Sequence, residues 1–232
     1  MHSRKRVLAG FIAGDGCVFN RRTDRDADYA HVLTIGLSYK DKSHLEKFKE
    51  FVDFSGDLYI DKDRTKITIT INSRRLVKDI MEKYDITKNK TDTYTPPDKI
   101  PSHLKKYFVL GLFDSDGSMT KINRPNKAVN GHVKGLYVFG MSFTGTMETI
   151  IYIRNFFGST VKETKRREND SNNYTILFQG NIQLIKYGSK LYDKYSKKFC
   201  MKRKYKKYCE LLEQYNIVVH DGNIMDYELV NL

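Results

Sequence analysis

Along residues 30–39, AHVLTIGLSY, apolar side chains alternate with small or polar ones: Leu33, Ile35, Leu37 and Tyr39 share one face, and Val32, Thr34, Gly36 and Ser38 share the other. A period of two marks a half-buried strand. KITITIN (66–72) repeats it, Ile67, Ile69 and Ile71 alternating with Thr68 and Thr70. CVFNRRT (17–23) and DLYID (57–61) read as two further strands. Elsewhere the period becomes helical. Asp41 stands as N-cap before KSHLEKFKEFV, which buries Leu45, Phe48 and Val52. Ser73 stands before a helix carrying Leu76, Val77, Ile80, Met81 and Tyr84.

The same order recurs further along. Ser102 caps HLKKYFVLGLFDS, a strand starts after Gly117, and the long strand GLYVFGMSF matches VLTIGLSY, with Gly140 and Ser142 in the places of Gly36 and Ser38. The helix METIIYIRNFF follows, then strands near 160–166 and 173–179 and a helix IQLIKYGSKLYDKY. Each half therefore reads αββαββα, and the expected fold is a duplicated α+β protein. Its halves are residues 1–90 and 102–215. They are joined by a Pro-rich linker over 91–101, and a tail over 216–232 has no assigned role.

Two stretches punctuate this repeat, GFIAGDGCV (10–18) and GLFDSDGSM (111–119). Gly10 and Gly14 are four apart, as are Gly111 and Ser115, so each pair sets small residues on one helix face where two helices approach closely. Each helix then ends in a carboxylate, Asp15 or Asp116. An acid there faces the negative end of the helix dipole, at a cost of about 0.3–1 kcal/mol. Packing the two helices brings the carboxylates together, and repulsion protonates one of them unless a cation neutralises both. A hard divalent ion such as Mg²⁺ suits this oxygen set, with the backbone carbonyls of Gly14 and Ser115 as further ligands.

Composition narrows the partner. The 232 residues carry 41 Lys plus Arg against 28 Asp plus Glu, a net charge of +13, which points to a polyanion and to nucleic acid before an anionic membrane. Apolar runs are too short for a transmembrane span, so a soluble, intracellular protein is expected. The three cysteines, Cys17, Cys200 and Cys209, show no paired metal spacing and are expected as reduced thiols. None of the six histidines is assigned chemistry. If the apolar strand faces pack on helices, Val32, Thr34, Ser38, Lys40, Lys66, Thr68 and Thr70 form a basic, hydroxyl-rich surface. Arg21, Thr23, Arg124, Lys134, Lys162, Thr164 and Arg166 extend it by strand parity, in a shape suited to the major groove. The run KKFCMKRKYKK (197–207) is expected along the phosphate backbone.

LAGFIAGDG (8–16) and VLGLFDSDG (109–117) resemble the two signature helices of the LAGLIDADG homing endonucleases, of the monomeric two-motif type, and the αββαββα order resembles that family as well. The resemblance implies two pseudo-symmetric halves packed through the motif helices, forming a saddle of antiparallel sheets. It implies a monomer making a metal-dependent double-strand break in a long, asymmetric DNA target, with Asp15 and Asp116 binding the metal. Mg²⁺ is the expected cofactor, with Mn²⁺ as a substitute and Ca²⁺ bound without turnover. The family's other frequent acid is Asp114 in the second motif but Ala13 in the first, so Asp114 is read as a packing or hydrogen-bonding group. A basic residue from each half is implied near the scissile phosphates: Lys88 or Lys90, and Lys202 or Lys204. Intron or intein mobility is implied by resemblance alone, and the cellular setting would be a bacterium, a phage-infected cell or an organelle. The alternatives are an intron-RNA-binding maturase, a non-cleaving DNA-binding module and a nickase.

Overall fold

The computed structural model describes residues 2–22, 29–88, 90–123, 137–166, 172–217, 219–220 and 223–224. The first half runs α1 (His2–Asp15), β1 (Gly16–Arg22), β2 (Tyr29–Ser38), a 3-10 turn (Tyr39–Asp41), α2 (Lys42–Phe51), β3 (Tyr59–Ile60), β4 (Lys66–Asn72) and α3 (Arg74–Tyr84). A single turn, α4 (Lys90–Thr93), precedes the second half. There follow α5 (Ser102–Asp116), β5 (Gly117–Asn123), β6 (Tyr137–Gly145), α6 (Met147–Phe157), β7 (Thr164–Lys165), β8 (Tyr174–Gln179) and α7 (Asn181–Leu191). A second 3-10 turn (Ser196–Lys198), α8 (Lys202–Gln214) and a small hairpin of β9 (Val219–His220) and β10 (Asn223–Ile224) complete the described elements.

The strand order is β1-β2-β4-β3 in one antiparallel sheet and β5-β6-β8-β7 in the other, so the two halves share one topology. Helices cover one face of each sheet. Leu33, Ile35, Ile67 and Ile69 in the first half, and Met141, Phe143, Ile176 and Phe178 in the second, are buried against them, as the alternation requires. The two halves meet along α1 and α5, the most extensive helix pair of the molecule. A methyl group on Gly10 would strike the carbonyl oxygen of Phe108, and one on Gly111 the carbonyl oxygen of Val7. Here the small residues serve close approach of two backbones. The Ser115 hydroxyl turns back on its own helix, donating toward the Gly111 and Leu112 carbonyls at 3.2 and 3.1 Å.

Several local expectations are corrected. The Ser73 hydroxyl does cap α3, accepting from the amide of Leu76 at 3.2 Å. Ser102 is instead the first residue of α5, behind Pro101, and caps nothing. Asp41 precedes α2 without capping it, because its buried carboxylate is engaged by the Arg203 guanidinium at 2.8 Å. Tyr39 and Lys40 have left the strand for the 3-10 turn, so Lys40, although exposed, does not extend the sheet surface. The repeat register also shifts. Gly16 pairs with Ile35 and Gly117 with Phe143, so Gly36 corresponds to Thr144 and Ser38 to Thr146, not to Gly140 and Ser142. The 3-10 turn causes the difference: the first half needs it to reach α2, whereas Thr146 caps α6 directly, accepting from the Thr149 amide at 3.2 Å. The basic run 197–207 is largely helical, forming the start of α8. The Pro-rich connection is packed, with Tyr94, Pro96 and Ile100 buried and the Tyr94 carbonyl accepting from the Thr146 hydroxyl at 2.5 Å.

Candidate active site

Asp15 and Asp116 end the two seam helices side by side. The Asp116 carboxylate lies so close over Gly14 that a methyl group there would overlap it. Burial, and then the neighbouring Asp116, push the Asp15 carboxyl up to about 7, against the opposing pull of Lys204 and Lys90. Asp116 is solvent-accessible but walled by protein, and its carboxyl is also raised, chiefly by that wall. Two carboxyls held back from ionising by burial, and Asp15 also by Asp116, beside the electron-rich ends of two helices, fit a hard divalent cation. Among the described residues no group of three or more His, Cys, Asp or Glu side chains converges, so backbone, water and substrate oxygens would have to complete its shell.

The lysine pairs left open by the sequence are separated by the fold. Lys90 is 9 % exposed and its ammonium donates to the carbonyls of Ala13 and Gly14 at 2.6 and 2.5 Å. Lys204 is 2 % exposed and donates to Phe113, Asp114 and Ser115 at 2.5, 2.7 and 3.4 Å. Each ammonium thus closes the C-terminal carbonyls of its own motif helix, where the dipole favours a cation. Lys88 and Lys202 are exposed and stand outside this arrangement. The charges cross the seam: Lys90 bears more strongly on Asp116 than on Asp15, and Asp15 feels Lys204 more than Lys90. Burial lowers both lysines, Lys204 to about 8. The Gly14 carbonyl already accepts from Lys90, whereas that of Ser115 is held only at 3.4 Å.

The sheet faces turned away from the helices carry many of the residues selected by parity. Ser38, Lys66 and Thr70 are exposed and Thr34 and Thr68 partly so, with Thr34 and Thr70 sharing a hydroxyl hydrogen bond at 3.3 Å. In the second half Thr164 is exposed on β7, Lys162 is exposed just before it, and Arg166 is exposed just after it. Val32 is corrected: it has the right parity but is only 1 % exposed, set between its cross-strand partners Phe19 and Asn72. Arg21 lies in β1 opposite Ala30, while Thr23, Arg124 and Lys134 lie outside the described residues. The same faces hold exposed residues that sequence reading missed: Phe19, Tyr59, Asn72, Ser118, Thr120, Ile122, Leu177 and Gln179. Strand register puts them on this face, although Phe19, Ile122 and Leu177 are apolar. A cavity of about 250 Å³ opens beside the Lys90–Asp116 side, lined also by Tyr94, Thr144, Arg166 and Asn173.

Comparison with known proteins bears on the fold. The family model described as LAGLIDADG endonuclease matches residues 8–100. No curated protein matches the sequence significantly. Among solved structures, a doubly lysine-to-alanine-substituted I-SmaMI superposes with a TM-score of 0.64 at 12% identity, covering 91% of each chain. I-SmaMI bound to an uncleaved DNA target with calcium ions gives 0.62 at 12% identity, over 91% of this chain and 92% of that one. The meganuclease I-AabMI bound to uncleaved DNA gives 0.59 at 12% identity, over 90% of each. Residues 8–100 are thus similar in sequence to LAGLIDADG endonucleases, and the chain as a whole shares its fold with these solved structures.

Proposed function

We propose that this protein is a site-specific DNA endonuclease that acts as a monomer, depends on a divalent metal and cuts both strands of a long asymmetric target. The observation that carries this reading is the doubled centre at the end of the seam: two carboxylates, each faced by a buried lysine of the other half, between two outward-turned sheet faces. A net charge of +13 suits the duplex, and solved structures of the same fold hold DNA targets, one with calcium ions and one cleaved.

Asp15 and Asp116 would hold the metal, Mg²⁺ or Mn²⁺ for turnover and Ca²⁺ without it, with the Ser115 carbonyl better placed than that of Gly14 to add a ligand. When bound, the metal supplies activation of water and neutralisation of phosphate charge. Lys90 and Lys204, their ammonium groups fixed on the helix-end carbonyls next to the carboxylates, would meet charge developing on the two scissile phosphates. Lys66, Thr70, Thr164 and Arg166 are the residues for phosphate and base-edge contacts. The two sheets differ in sequence, so the two half-sites differ, which favours a non-palindromic target.

The test is to incubate the protein with a DNA library, or with the segment flanking its gene, in Mg²⁺ or EDTA, and to map the ends. Staggered ends at one locus that are lost in EDTA, and lost on Asp15→Asn or Asp116→Asn with binding retained, support the reading. Cleavage persisting in the double variant would overturn the metal assignment. Selective binding of a structured intron RNA with no DNA cutting would overturn the endonuclease.

A further inference from the structure

Asp114 is the motif acid that the two-aspartate centre does not use. It is 0 % exposed, and its Oδ2 accepts a hydrogen bond from the backbone amide of Met201 at 3.0 Å. Its own carbonyl accepts from the Lys204 ammonium at 2.7 Å. Met201 is the residue immediately before α8, and Lys204 lies three residues on, in the first turn. One residue therefore grips both the start of the helix and the side chain that the helix carries. The first half has no counterpart, because Ala13 occupies the matching position and its methyl group has no acceptor to offer α4. Lys90 is held by carbonyls alone, on a single helical turn beside a cavity of about 250 Å³.

We propose that Asp114 is a positioning residue for one of the two cleavage events: by holding the Met201 amide it sets the start of α8 and so the reach of Lys204 toward Asp15. The inference rests on the endonuclease reading. The Lys90–Asp116 centre stands free of this strut, so the two strands answer differently to its loss. A merely structural buried acid would, when removed, weaken both centres together through the shared seam.

The experiment uses a duplex carrying the mapped target, with each strand labelled separately, under single-turnover conditions in Mg²⁺. Asp114→Ala is expected to slow cutting of one strand by about tenfold to a hundredfold, as misplacement of a reacting group does, and to leave the other within about twofold. Lys204→Met should affect the same strand. Asp114→Asn keeps an acceptor oxygen and should restore most of the rate. Met201→Pro removes the donor amide at a φ of −70°, which proline adopts, and should reproduce the Asp114→Ala pattern even where that variant fails to fold. Amide exchange without DNA or metal supplies a readout independent of cutting, with Met201 protected in wild type and Asp114→Asn and exposed in Asp114→Ala. Equal slowing of both strands, or an unprotected Met201 amide in the wild type, would overturn the proposal. A wild-type protein that cuts no DNA but keeps Met201 protected would sink the endonuclease reading and spare the strut.

Discussion

Asp15→Asn removes a charge that the metal-free fold holds at a disadvantage. Burial and Asp116 raise the Asp15 carboxyl from 3.8 to about 7. Between those values the native state binds the proton more tightly than the unfolded chain, so stability falls as pH rises through the interval. The cost is absent below the unfolded value, grows across the window and levels off above the folded one. At about 1.4 kcal/mol per pKa unit the ceiling is on the order of 4 kcal/mol, and solvent at the open side of the cleft reduces the expected gain from the variant to about 1–3 kcal/mol. Relief of the helix-dipole clash acts in the same direction. Urea unfolding in EDTA, from pH 4 to 8.5, checks this: the variant should match wild type at the acid end and exceed it increasingly toward a plateau near pH 8. Adding Mg²⁺ should stabilise wild type by mass action and leave Asp15→Asn nearly unmoved, closing the gap. A variant no more stable than wild type at pH 8 in EDTA, or a gain independent of pH, refutes the reasoning.

Lys204→Met leaves the Phe113 and Asp114 carbonyls unpaired and also removes the cation that most favours ionisation of the fully buried Asp114, and should cost about 2–4 kcal/mol. Lys90→Met leaves only carbonyls unpaired and should cost about 1–2 kcal/mol, so equal losses in chemical denaturation would contradict the asymmetry. Gly111→Ala gains about 1 kcal/mol of helix propensity but drives a methyl group into the Val7 carbonyl, and the net result should be a loss of about 1–3 kcal/mol by thermal melting. His44 is held neutral by burial and by Lys47, Lys204 and Arg203, its pKa lowered to about 3. The native state thus binds fewer protons than the unfolded chain below pH 6.5, and stability is lost as pH falls from there toward 3. His44→Leu should flatten that acid limb by up to about 1.4 kcal/mol per pH unit in urea titrations.

The duplicated architecture was legible because burial writes itself into the chain with a period. Ile67, Ile69 and Ile71 alternate, the seam glycines stand four apart, and both aspartates follow them at one spacing. Charge carries no such period. Lys88 and Lys90 look alike in sequence, and what separates them is a pair of carbonyls on Ala13 and Gly14, more than seventy residues away along the chain. Lys202 and Lys204 differ for the same reason. Asp41 reads as a cap because its local sequence is that of one, and only Arg203, 162 residues further along the chain, diverts its carboxylate. Val32 and Phe19 show the limit of parity: alternation assigns a side to each residue, but not whether a neighbour lies over it. The four-residue slip between Gly36 and Gly140 arose because a repeated Gly-x-Ser pattern outranked a 3-10 turn that leaves no sequence signal.

The crossed placement of the charged groups bears on when the centre comes into being. Asp15 and the lysine whose charge bears on it most, Lys204, are contributed by opposite halves of the repeat. Asp116 and Lys90 are likewise contributed by opposite halves. A chain with only its first half folded has one carboxylate and one ammonium, and neither has its stronger partner from across the seam. Assembly of the centre therefore requires both halves to be folded and docked along the seam, and a half-folded copy lacks it.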